Sequence, residues 1–452
     1  MTEGAPGGTA PHRPALALAA VLLGFALQLD NGFYSPAALA LVVAAGVAGW
    51  AAILAPGRLG QWLPDRPRPL TALLLATVLV QIAILATAPI GLYFAEPMPW
   101  QHPGFRPALA VIGAATAAAT VGSRAVRMGA AGCILAASAV LGVLTYRGSP
   151  HPAIDVVTVH HEAFATLARG ESPYSMTFPD ASGGRDAFYP PGMVANGRVQ
   201  YGFPYPPLSL LMAWPGHLAG DFRYAELAAL LVGAAAIVAA GRGAAPAVLA
   251  AALLLTTPRG YFALEQSWTE PFAVAWLALA AWAASAARPA LAAVSIGLAM
   301  ATKQHLLLAA PAVWHLAASW PTRRRVAGLA LAAAALATLP ALLDPAGFLH
   351  SAVMVQVREE LRLDALSLAV PLAGALGQPL PGAVYAVVVA GAAALATARV
   401  PSTPSGAFAA VAVALLTAFA FGKKAFCNYY VLVIAVFAIA IAVAREGDDR
   451  SA

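Results

Sequence analysis

Charge is what this sequence has least of. Only 10% of its 452 residues are Asp, Glu, Lys or Arg, against roughly 25% in soluble globular domains. So few ionic groups cannot cover a surface that faces water on all sides, which excludes a soluble fold. Lysine is nearly missing: Lys303, Lys423 and Lys424 are the only ones, and every other basic residue except histidine is arginine. Cysteine occurs twice, at Cys133 and Cys427, giving neither a disulfide framework nor metal-ligand spacing. The formal net charge of +6 is dispersed, and Arg323-Arg324-Arg325 is the one run of like charge, so no footprint for nucleic acid is present.

What fills the chain instead is apolar. Hydrophobic residues make up 60% of it, and the mean hydropathy is +0.75. Apolar windows predict about fourteen membrane spans. They cover 15–29, 36–55, 70–90, 107–123, 128–146, 224–241 and 245–257, then 270–287, 289–302, 306–320, 326–342, 382–398, 405–421 and 428–444. Windows such as 245–257 and 289–302 fall short of the roughly 20 residues of a straight crossing, so they are expected to borrow flanking residues or sit in a thinned region. One more apolar helix, between Pro207 and Gly220 and kinked at Pro215, is expected to be re-entrant or to lie along the membrane surface. No convincing cleavage site follows the first window, which reads as an uncleaved anchor. The expected fold class is an all-α polytopic membrane protein.

Arginine sets the expected orientation. Arg58, Arg66, Arg68, Arg124, Arg127, Arg242, Arg288, Arg323 to Arg325 and Arg399 fall in short loops on one side. The positive-inside rule makes that side cytoplasmic, together with both termini. Loops 147–223 and 343–381 are then extracytoplasmic, on a protein integral to the cell membrane. All three lysines run against the rule, mapping to outer helix ends. They either snorkel there or face an anionic head group.

The polar stretch from Arg147 to Leu208 is the longest in the chain. Asp155 follows window 128–146 and opens a helix-like run. It reads either as an N-cap serving free backbone N–H groups or as a general base, which must be a carboxylate or imidazole within reach of the proton it takes. Glu162, two turns on, shares its helix face and is either solvated or placed to bind acceptor hydroxyls. His160 and His161 are adjacent and face different ways, a poor metal pair. No metal and no cofactor are expected.

Three further clusters fall on the same side. Arg259, Glu265 and Gln266 lie between two windows with no obvious structural duty, whereas Glu270-Pro271 reads as a helix start. Thr302-Lys303-Gln304-His305 offers a cation, an amide and an imidazole, a set suited to a phosphate and a sugar. Gly422-Lys423-Lys424-Ala425-Phe426-Cys427-Asn428-Tyr429-Tyr430 joins two lysines to two tyrosines, which aromatic-belt anchoring would also explain. Cations converging on a leaving phosphate in a low-dielectric site stabilise developing charge far better than they do in water.

These pieces carry a resemblance. Asp155 after a span, Leu167-Ala168-Arg169-Gly170-Glu171-Ser172-Pro173-Tyr174, Tyr205-Pro206-Pro207-Leu208, Ala301-Thr302-Lys303-Gln304-His305 and the Lys423–Tyr430 run resemble the C-superfamily (GT-C) glycosyltransferases. Family 87, the phosphatidylinositol-mannoside mannosyltransferases, is the nearest in pattern, over roughly residues 128–444. The resemblance implies a GT-C-like bundle with helices lying along the membrane in the first loop. It also implies Asp155 as catalytic base and inverting transfer from a polyprenyl-phosphate sugar without an obligatory metal. This chain departs in placing about four spans, residues 15–123, ahead of the span before the aspartate. The insertion from Asp180 to Gln200 is a further candidate for acceptor recognition or a lid.

The expected organisation is an N-terminal block over 1–127, a catalytic module over 128–444 and a cytoplasmic tail over 445–452. The expected function is transfer of a sugar, mannose in the resembled family, to an acceptor at the extracytoplasmic face. Asp155 would be catalytic. Lys303, His305, Lys423, Lys424 and Arg259 would hold the donor phosphate, and Glu162, Tyr174, Tyr205, Glu265, Gln266, Asn428 and Tyr429 would meet the substrates. Partners would be the polyprenyl-phosphate sugar donor, a lipid or glycan acceptor and membrane lipids, with no nucleic acid. The alternatives are a transporter or flippase of a lipid-linked or polar solute, and a polymer ligase using lipid-diphosphate donors.

Overall fold

The computed structural model describes residues 10–63, 65–183, 189, 192–317 and 319–444. The expected tail 445–452 and part of the 180–200 insertion lie outside the described residues, as do residues 1–9. The described chain is predominantly helical, with almost no strand. Six helices are long and apolar enough to cross a membrane: Pro36–Leu54, Pro67–Thr87, Arg124–Gly148, Arg223–Ala240, Trp320–Leu343 and Gly382–Arg399. Shorter apolar helices are Arg13–Leu29, Phe105–Val121, Ala245–Thr256, Glu270–Ser285, Pro289–Met300, Pro404–Ala420 and Cys427–Val443. Together they account for every predicted window but one.

The exception is 306–320, expected as a helical span. It is a 3-10 turn, Gln304–Ala309, followed by a single turn of helix, Ala312–His315. Pro311 has no N–H to donate, and its ring crowds the carbonyl four residues back. Ala310, Val313 and Trp314 each bond three residues back instead of four. The segment still follows helix Pro404–Ala420 end to end: His305 packs on Phe419, and His315 Nδ1 lies 3.4 Å from Ser402 Oγ.

Short helices need no lipid contact when protein surrounds them. Ala245–Thr256 is buried from Ala247 to Thr256, packed by Pro67–Thr87, Arg223–Ala240 and Cys427–Val443. In Cys427–Val443 every residue is buried except Tyr429. A helix apolar all round belongs in such an interior. One continuous hydrophobic core runs from Ala15 to Val443, because Arg13–Leu29 packs on Cys427–Val443, and Pro36–Leu54 on Pro404–Ala420. The expected boundary at 127/128 therefore separates no core. Close approach depends on small residues: a Cβ on Gly297 would meet the Ala330 carbonyl oxygen at 2.1 Å.

The polar stretch forms a cap at one end of this bundle. Helix Asp155–Ala168, three two-residue antiparallel strands and helix Pro207–Leu218 share a second core built on Phe164, Phe178, Phe203 and Phe222. Asn196 and Gly197, both at positive φ, turn the hairpin between Val194–Ala195 and Arg198–Val199. A π-helical turn, Leu349–Met354, closes the cap from behind. Its Ser351 Oγ accepts from Gly202 N and donates to the Tyr174 carbonyl, each at 2.8 Å. At the opposite end Arg127 donates to the Gly243 carbonyl and Arg13 pairs with Asp65.

Candidate active site

Beneath the cap lies a cavity of about 1180 Å³. Seven of the thirteen residues singled out from the sequence line it: Asp155, Tyr205, Lys303, His305, Lys423, Lys424 and Tyr429. They come from segments up to 274 residues apart (155 to 429), and the bundle brings them together because each sits at a helix end on the capped side. Tyr429 enters the cavity because it is the one position of its helix not enclosed by the core.

Asp155 is the first residue of its helix, not its cap. Ile154, extended at φ −138° and ψ 142°, holds the cap position without a side-chain bond. Among the described residues, Asp155 Oδ1 accepts only from the next amide, Val156 N, at 2.8 Å. Its carboxylate is thus available to the cavity. Burial pushes its pKa above the ordinary carboxylate value, the charge of Glu359 adds to that, and Lys424, the Val156 amide and Arg362 pull the other way. A carboxylate kept basic by desolvation is what general-base work requires.

The lysines arrive with partners. Lys303, buried, pairs with Glu270 Oε1 at 2.5 Å, and its Nζ lies 5.1 Å from the ring centre of Tyr205 and 5.5 Å from that of Tyr429. Lys424 pairs with Glu359. Lys423 donates to the carbonyls of Val357 at 2.7 Å and Glu359 at 2.6 Å; burial lowers its pKa, opposed by the charge of Glu359. His305 sits against Phe419 and Tyr429 with its Nε2 buried and without a partner among the described residues.

The other six candidates lie elsewhere, each for a visible reason. Glu265 accepts from the amides of Leu92 and Tyr93, both at 2.7 Å, and Gln266 donates to Glu265. Arg259 donates to the Pro89 carbonyl at 2.9 Å. These three fasten the segment after helix Pro67–Thr87 to the bundle and do not reach the cavity. Glu162 faces Arg198 at 3.6 Å, on the hairpin. Tyr174 donates through its hydroxyl to the Tyr205 carbonyl at 3.2 Å, so it positions a cavity residue from behind. Asn428 donates to Glu270 Oε1 at 2.7 Å and thereby backs Lys303.

Sequence reasoning missed several residues in or behind the cavity wall. Glu270 opens helix Glu270–Ser285 as expected, yet it is also the counter-ion of Lys303. Glu359, Glu360 and Gln356 line the cavity; the charged run Arg358-Glu359-Glu360 in an otherwise apolar neighbourhood was the signal. Gln304, the amide of the cluster read from the sequence, lines it too and donates to the carbonyls of Pro204 and Ala352, at 2.8 and 2.7 Å, binding cap to bundle. Tyr201 and Tyr385 add aromatic surface. The remaining wall, with Leu363, Ala369, Ala373, Gly374, Leu380 and Gly382, is apolar apart from Gln378. Compared with family models, curated proteins and solved structures, the chain matches none. The functional reading therefore rests on this geometry: one desolvated carboxylate, ammonium groups across the same chamber, and an apolar flank beside them.

Proposed function

We propose that this chain is an integral membrane glycosyltransferase of GT-C-like architecture that takes a sugar, mannose by the resemblance, from a polyprenyl-monophosphate carrier. The bundle would cross the membrane about fourteen times, the cap would face the extracytoplasmic side, and helix Pro207–Leu218 would lie along the surface. One observation carries this reading: Asp155 shares a single chamber with Lys303, Lys423 and Lys424. The apolar flank supports a lipid-linked donor, since it belongs partly to helix Gly382–Arg399, only 17% of whose span is buried in protein. A chamber of about 1180 Å³ exceeds the roughly 300–1,000 Å³ of small-molecule sites and suits a sugar phosphate with the start of its lipid.

In this reading Asp155 takes the proton of an acceptor hydroxyl on a lipid or glycan. The acceptor oxygen forms its bond to the anomeric carbon while the carbon–oxygen bond to phosphate breaks on the opposite face. The electron pair leaves with the phosphate, towards Lys423, while Lys303 and Lys424 stay paired with Glu270 and Glu359. Tyr205 and Tyr429 offer faces for the sugar.

Purified protein in lipid nanodiscs, given a radiolabelled polyprenyl-monophosphate sugar and a membrane-lipid extract as acceptor, is expected to yield a labelled glycosylated product. Transport of labelled solute into proteoliposomes without covalent product would point to the transporter reading instead.

A further inference from the structure

The charge inventory of the chamber carries one step more. Its walls present three lysines and three carboxylates, Asp155, Glu359 and Glu360. Lys303 is already neutralised by Glu270 behind it, and Lys424 by Glu359. Lys423, tied only to two backbone carbonyls, is the one lysine of the three without a carboxylate within ion-pair distance among the described residues. A bound anion of a single charge is thus met by one free ammonium. A second negative charge would have to take Lys424 away from Glu359 and leave that carboxylate, 8% exposed, without its counter-ion. Uncompensated buried charge is among the costlier defects a site can carry.

We infer that Glu359 is a specificity-determining residue: by occupying Lys424 it restricts the chamber to singly charged phosphodiesters and rejects diphosphate-linked lipids. The inference rests on the donor reading above. It also separates two enzyme classes by a residue rather than by overall shape, since a diphosphate-using ligase would need Lys424 unencumbered. Glu359 discriminates by charge repulsion as well as by holding its lysine, the two means by which a site lowers its affinity for a near relative of its ligand.

The test compares a prenyl methyl phosphate, which carries one negative charge, with a prenyl methyl diphosphate of equal chain length, which carries two, each bound to the full-length protein in nanodiscs. The native protein is expected to favour the monoanion by at least about tenfold, the lower end of what a close charge pair contributes. Glu359→Gln frees Lys424 and should bring the ratio near one by gaining diphosphate affinity. Lys424→Gln leaves Glu359 unopposed and should move the ratio the other way; it stands as the test should Glu359→Gln fail to assemble. Glu171→Gln, the same change of charge on an exposed residue outside the chamber, should leave the ratio where it is. An unchanged ratio in both Glu359→Gln and Lys424→Gln, with monoanion binding intact in the native protein, overturns the role of Glu359 alone. A native protein that binds neither probe overturns the donor reading with it.

Discussion

At the scale of single residues, the clearest consequence concerns Asp155. Burial raises its pKa above that of the unfolded chain. Only the deprotonated form accepts a proton, so transfer should rise with pH through a value above the ordinary carboxylate range. Stability runs the opposite way: the folded chain holds this proton more tightly, and the resulting stabilisation is lost as pH rises through the raised pKa. Asp155→Asn should therefore cut transfer by roughly 10²- to 10⁴-fold while its melting temperature at neutral pH stays level or increases. Full transfer by that variant would remove the mechanism. The buried pair makes a second prediction. Lys303→Ala strands Glu270, 2% exposed, and should cost about 3–5 kcal/mol. Lys303→Met combined with Glu270→Gln should recover most of that loss in a double-mutant cycle. Asp155 and the lysines were legible in the sequence because charge is so rare there. The charged run at Glu359 was visible too, but its pairing was not, because no local rule reveals that a glutamate will meet a lysine 65 positions on (359 to 424).

At the scale of elements, hydropathy found thirteen apolar helices and misjudged 306–320, where side chains suit a bilayer but Pro311 interrupts the backbone ladder. A window average counts side chains and is blind to the missing N–H. The same blindness misplaced Arg259 and Glu265. Both look spare in sequence, since their partners are main-chain groups of a connecting segment 170 or more residues earlier. That duty is measurable. Glu265→Ala removes two hydrogen bonds to a carboxylate, each worth about 1.5–3 kcal/mol. The variant should melt earlier and expose the 88–98 segment to proteolysis, with binding of the prenyl methyl phosphate unchanged. Weakened binding in a variant of normal stability would return Glu265 to the chamber's machinery.

At the scale of the whole molecule, the two ends of the bundle differ in kind. One holds the cap, the cavity and all three lysines; the other collects Arg13, Arg127 and Arg323, which bind backbone carbonyls or a nearby acid. In the proposed topology the short-loop arginines at this end would lie on the cytoplasmic side. Lysine at the other has a local cause, because each ammonium is held by groups in or behind the chamber wall. The four N-terminal helices belong to this same asymmetric body, as their shared core requires, so sidedness can be read from either part of the chain. In a Cys133→Ala background, Glu171→Cys lies at the cap end and Arg58→Cys at the other, both exposed; Cys427 is buried. A membrane-impermeant maleimide applied to intact cells should label Glu171→Cys and should reach Arg58→Cys only after lysis. The reverse pattern would put the chamber in the cytoplasm and make an extracytoplasmic acceptor untenable, whatever chemistry Asp155 performs.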